Sequence, residues 1–115
     1  MTGTLIEVID RLDDVDVSDR YASPVIFAEG GPGASPSARA VVCPGDEEGT
    51  LTCPQDPTLS EVLMVQLAKE AIEVWAAWRG GKKPSRRDKF DAVMFYSQHD
   101  AFVPIADEGG GLPQR

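Results

Sequence analysis

Residues 58–80, TLSEVLMVQLAKEAIEVWAAWRG, constrain the fold more than any other stretch of this chain. On a helical wheel Leu63, Met64, Val65, Leu67, Ala68, Ala71, Ile72, Val74, Trp75 and Trp78 fill one broad arc. Gln66, Lys69, Glu70 and Glu73 share the narrow remainder. An apolar arc wider than half the circumference predicts a helix packed from more than one side. Thr58 and Glu61 have the T-x-x-E spacing of a capping box, which sets the expected start. Gly80 and Gly81 supply the left-handed residues that end a helix.

Around this central helix the flanking segments alternate in character. Thr4 and Glu7 frame a short N-terminal helix over residues 4–12, with Leu5, Ile6, Ile9 and Leu12 on one face. Residues 24–29, PVIFAE, predict a strand, and 38–43, ARAVVC, a second strand antiparallel to it. Residues 50–53, TLTC, fit a third short strand. Ser85 and Asp88 cap a C-terminal helix running from 86 to about 100. The expected fold is α+β: a small antiparallel sheet of two or three strands packed against a long central helix, with a short N-terminal helix and a C-terminal helix. Residues 1–106 form one domain in this reading, and 107–115 a flexible C-terminal tail.

No stretch reaches the roughly 18 apolar residues of a membrane span. The first residues lack the basic and apolar regions of a secretory signal, which predicts a cytoplasmic protein. In that compartment Cys43 and Cys53 are expected as reduced thiols, although a hairpin bridge between them fits the spacing. With one histidine, His99, and a nine-residue gap between the cysteines, no metal site is expected and no cofactor.

Chemistry-bearing motifs are sparse. The Gly-rich loop over 30–37 follows a strand but lacks the Gly-Lys-Ser/Thr ending of a phosphate cradle, so it predicts a hairpin connection. His99 and Asp100 are neighbours on a helix, about 100° apart, and cannot pair as in a catalytic triad. Trp75, Trp78, Phe90 and Phe95 have the spacing of core residues rather than of a stacking platform. No catalytic residues are expected.

Charge is the stronger signal. The net charge of −8 is uneven: residues 1–78 hold fourteen acids against four bases, and residues 79–89 six bases against one acid. Asp13, Asp14, Asp16 and Asp19 form one acidic tract, and Asp46, Glu47 and Glu48 another. Both tracts are candidate partner-binding residues, because an acidic body speeds association with basic surfaces. Lys82, Lys83, Arg86 and Arg87 are the secondary candidate patch. The surrounding negative field argues against direct nucleic-acid binding by that patch.

The run Tyr96-Ser97-Gln98-His99-Asp100-Ala101-Phe102-Val103 resembles the ending of a small uncharacterised bacterial domain family with a Tyr-x-x-x-Asp-Ala-Phe motif. That resemblance implies a small bacterial or mobile-element protein and transfers no active site. In general character the chain is similar to toxin-immunity proteins and to phage anti-defence proteins such as anti-CRISPRs. The functional expectation is a small acidic non-enzymatic protein that inhibits or neutralises a protein partner with a basic, nucleic-acid-handling surface, such as a nuclease or CRISPR-type effector. Two alternatives remain at this point. One is a small ligand-binding domain or enzyme using the Gly-rich loop, the cysteines or His99. The other is an oligomerising module, such as a homodimer paired through the long helix.

Overall fold

A computed structural model describes residues 1–15, 24–43 and 56–103. The elements are β1 (Thr2–Thr4), α1 (Leu5–Asp10), β2 (Val25–Ala28), β3 (Arg39–Cys43), β4 (Ser60–Met64), α2 (Val65–Ala77) and α3 (Arg86–His99). Short 3-10 turns follow α1 at Leu12–Asp14 and β2 at Gly31–Gly33. The fold is α+β. Its sheet has four antiparallel strands in the order β1-β3-β2-β4, one more than the most expected.

The two helix starts with a cap of their own behave as their sequences predict. Thr4 Oγ1 accepts from the Glu7 N–H, and Glu7 Oε1 accepts from the Thr4 N–H at 3.0 Å. That backbone bond and the Thr4 hydroxyl hold the Glu7 carboxyl below the usual carboxylate range. At α3, Ser85 Oγ accepts from Asp88 N–H at 3.1 Å, while Asp88 Oδ2 accepts from Ser85 N–H at 2.9 Å.

The third capping box does not form. Thr58 spends its hydroxyl and its backbone N–H on Asp56 Oδ1, making an Asx-type turn. Asp56 is held in turn by Arg39, which also reaches Glu29. The chain then runs straight into β4, which pairs with β2, and the helix begins only at Val65. Leu63 and Met64, placed on the helical wheel by their spacing, therefore belong to a strand. Their run of apolar residues satisfies either period, and only the partner strand decides between them. The other end of α2 is as expected. The Gly81 N–H closes on the Ala76 carbonyl at 2.8 Å, with Gly80 and Gly81 both left-handed (φ 71° and 85°).

Alternation along the strands separates two apolar layers. Ile26, Ala28, Ala40 and Val42 face the helices and pack with Leu5, Val8, Ile9, Val65, Ala68 and Val93. Val25, Phe27, Val41 and Cys43 lie on the other face with Leu59 and Met64. On β4 the register skips Val62, because Ile26 pairs with Leu63 and Phe27 with Glu61. The carbonyl of that bulged residue accepts a 2.6 Å hydrogen bond from Ser97 Oγ of α3. A serine on an otherwise apolar stripe thus satisfies a backbone group that the ladder leaves out.

The expectation of a reduced thiol is overturned at Cys43. This residue ends β3 almost fully buried and is disulfide-bonded. A compartment inferred from sequence says nothing about whether a strand end can be bridged. Cys53, the expected third strand over 50–53 and the C-terminal tail lie outside the described residues.

Candidate functional site

Of the acidic candidates, Asp13 and Asp14 sit in the 3-10 turn after α1, and both are exposed. Asp14 lies 3.8 Å from Arg11, a solvent-facing pair worth little. Asp16, Asp19, Asp46, Glu47 and Glu48 lie outside the described residues. The fold adds acids that linear tract-spotting missed. Asp13 shares a shallow hollow with Glu73 of α2, lined also by Ile9, Leu12, Ile72 and Lys69. Glu70 stands beside Glu73 on the exposed face of the same helix. Lys69 Nζ donates to the Val15 carbonyl at 2.9 Å and so ties α2 to the end of the acidic turn. The signal for this extension was the polar strip Gln66, Lys69, Glu70 and Glu73 on the wheel.

The basic connector is largely engaged from within. Arg86 Nε donates to Asp10 Oδ2 at 3.2 Å, and Lys89 Nζ reaches Asp10 Oδ1 at 3.3 Å and the Asp10 carbonyl at 3.4 Å. Burial of the Asp10 carboxyl pushes its pKa up, but the Lys89 and Arg86 bonds and charges outweigh that and hold it below the usual range. Arg87 pairs with Asp91 one turn on, at 3.0 Å. Arg79 donates to the Trp75 carbonyl at 3.0 Å and lies over the Trp75 ring, 4.5 Å from its centroid. Lys82 approaches the same ring at 5.7 Å. Of the four residues in the secondary patch, Arg86 and Arg87 are thus paired with carboxylates of the same molecule.

The aromatic residues divide. Trp75 and Phe90 are buried, as core spacing predicts. Trp78 and Phe95 are half-buried. The motif-bearing C-terminal segment has a structural account. Asp100 adopts a left-handed conformation (φ 54°), its N–H donating to the Tyr96 carbonyl at 2.8 Å, and so stops α3. The reversal lays the Phe102 ring against Tyr96 at 5.2 Å and edge-on to Trp78 at 5.7 Å. Tyr96, Asp100 and Phe102 therefore form a helix-ending clasp.

His99 is exposed, with its ring tilted against Phe95 at 4.4 Å. Among the described residues no group of three or more His, Cys, Asp or Glu side chains is placed to hold a metal ion. The Gly-rich loop is a tight β2–β3 connection: Gly31 is buried against Ser60, and Gln98 of α3 donates to the Pro32 carbonyl at 2.6 Å. Among the described residues no helix is long and apolar enough to cross a membrane. Comparison with family models, curated proteins and solved structures finds no match to this chain.

Proposed function

We propose that this chain is a small acidic binding protein without catalytic activity, which inhibits or neutralises a protein partner whose working surface is basic and handles nucleic acid. Phage anti-defence inhibitors of the anti-CRISPR type and toxin-immunity proteins act in this way, and a nuclease or CRISPR-type effector is the kind of partner implied. The observation that carries the reading is the internal neutralisation of the connector. Arg86 and Lys89 close on Asp10, whereas Asp13, Asp14, Glu70 and Glu73 stay exposed; the Arg87–Asp91 and Arg11–Asp14 pairs are both solvent-facing and worth little. The pairing ties the connector's positive charge to carboxylates of the same molecule, and the net charge of −8 is unchanged by it. Exposed carboxylates on two adjoining elements would occupy phosphate-binding positions on the partner and speed encounter.

The reading places the protein in the cytoplasm. A disulfide at Cys43 runs against that placement, since cytosolic thiols are kept reduced.

The test is association kinetics. A partner recovered from host lysate at low salt would be purified and its association rate measured against ionic strength. Changing Asp13, Asp14, Glu70 and Glu73 together to Asn or Gln should slow association about tenfold and flatten the salt dependence. Changing Lys82, Lys83, Arg86 and Arg87 to Gln should alter it little. Loss of binding in the basic variant alone would mean that the partner surface is acidic or is nucleic acid, and the reading would fail.

A further inference from the structure

Eleven lysines and arginines are spread along the chain, and the fold makes their peptide bonds very unequal in access. A protease acts only where a stretch of backbone can leave its own hydrogen bonds and extend into the enzyme's cleft. Arg39 lies in β3, which pairs on both sides, and Lys69 lies within α2. Arg86, Arg87 and Lys89 lie within α3. Arg11 closes α1, with its N–H on the Val8 carbonyl at 3.1 Å and its own carbonyl accepting from the Asp14 N–H at 3.0 Å. Arg79 is half-buried, with its N–H on the Ala76 carbonyl at 3.1 Å and its guanidinium against Trp75.

The connector between α2 and α3 differs from all of these. Gly80, Gly81, Lys82 and Lys83 are exposed, and a methyl group on either glycine would meet open space. Residues 82–85 have no regular structure. The Lys82 N–H reaches the Arg79 carbonyl only at 3.4 Å, beyond the usual hydrogen-bond range. Lys83 precedes Pro84, whose ring crowds the bond that joins them. Among the described residues the Lys82–Lys83 bond is therefore the one open basic cleavage site.

We propose that Lys82–Lys83 is a processing site for a trypsin-type serine protease, whose specificity pocket carries a carboxylate, and that the cut chain stays assembled as two pieces. The reaction is a hydrolysis. The bond from the Lys82 carbonyl carbon to the Lys83 nitrogen breaks, water gives its hydroxyl to the carbon and its proton to the nitrogen, and a carboxylate and an ammonium result at neutral pH. The contacts that hold α3 all lie after the cut and none runs through the connector. Phe90, Val93 and Met94 are buried, and Arg86 and Lys89 close on Asp10. Ser97 and Gln98 donate at 2.6 Å to the Val62 and Pro32 carbonyls. Asp13, Asp14, Glu70 and Glu73 all precede the cut, so processing leaves the acidic face whole on one piece.

The experiment is limited trypsin digestion of the native full chain, followed by intact mass spectrometry and gel filtration. The expected first cut gives residues 1–82 and 83–115, which elute together and separate only in denaturant. Lys82→Gln, a change at an exposed position, should slow the first cut at least tenfold. Adding Pro84→Ala to that variant should restore cleavage, now after Lys83. The rate should stay level in urea below the unfolding transition, as for a site already open in the native state. A first cut at another lysine or arginine, undiminished cleavage in Lys82→Gln, no recovery on adding Pro84→Ala, pieces that separate without denaturant, or a rate that climbs in urea below the transition would each overturn the proposal.

Discussion

Asp10 joins the N-terminal third of the chain to α3, and its removal is the sharpest single test of the charge map. Its side chain is 28% exposed and accepts from Arg86 and from Lys89, itself 21% exposed. A hydrogen bond to a charged group contributes about 1.5–3 kcal/mol when well shielded. With more than a quarter of the carboxylate in solvent, screening brings the expectation for Asp10→Ala to about 1.5 kcal/mol. For a 115-residue chain the unfolding entropy is about 0.24 kcal/mol per kelvin, so the midpoint should fall about 6 °C. Urea unfolding followed by tryptophan fluorescence would measure the difference directly. The pH dependence gives a second check with a definite sign. Because the folded-state pKa is lowered, the contribution is complete above the unfolded value, near pH 4, and is lost as pH falls through the folded value. The gap between wild type and Asp10→Ala should therefore be level from neutral pH down to about 5 and close in stronger acid. A gap that persists undiminished to pH 2, or a cost under about 0.5 kcal/mol at neutral pH, would refute the assignment of the bridge.

Three further outcomes follow from packing and covalent structure. Ile26→Ala, at a fully buried position, should cost about 2–5 kcal/mol in denaturant unfolding, and Leu67→Ala clearly less because Leu67 is only half-buried. Gly81→Ala should cost about 1 kcal/mol, since φ is 85° although a methyl group there would meet open space. Reductant should lower stability by about 2–4 kcal/mol, and alkylation without reductant should leave Cys43 unlabelled; a labelled Cys43 in the native, unreduced protein would remove the bridge from the fold.

What could be read in advance was whatever the chain decides locally. Thr4 with Glu7 and Ser85 with Asp88 are each three residues apart, and their bonds need nothing distant. Thr58 with Glu61 has the same spacing and fails, because Asp56 competes for the Thr58 donors and β2 competes for the following residues. β1 is short and polar, and becomes a strand only by pairing with β3, 35 to 39 positions away. The density of bases after α2 was plain in the sequence, but not their partner, since Asp10 lies 76 residues before Arg86. The acidic surface was likewise half visible. Its tracts stood out as runs, while Glu70 and Glu73 join them only through the contact between α2 and the turn after α1.

The direct passage from β4 into α2 limits how this chain can change length. Met64 and Val65 are consecutive, with no connecting residues to absorb an insertion. Adding or deleting one residue there, with β4 held in register by β2, would rotate every later position of the helix by about 100°. Trp75 would leave its buried place, and Glu70 and Glu73 would turn away from the acidic turn. Length variation is therefore expected to be tolerated at the exposed glycine turn after α2 and to be excluded at this junction. A single-residue insertion scan scored by soluble expression would trace that boundary, with the sharpest intolerance falling between residues 64 and 65.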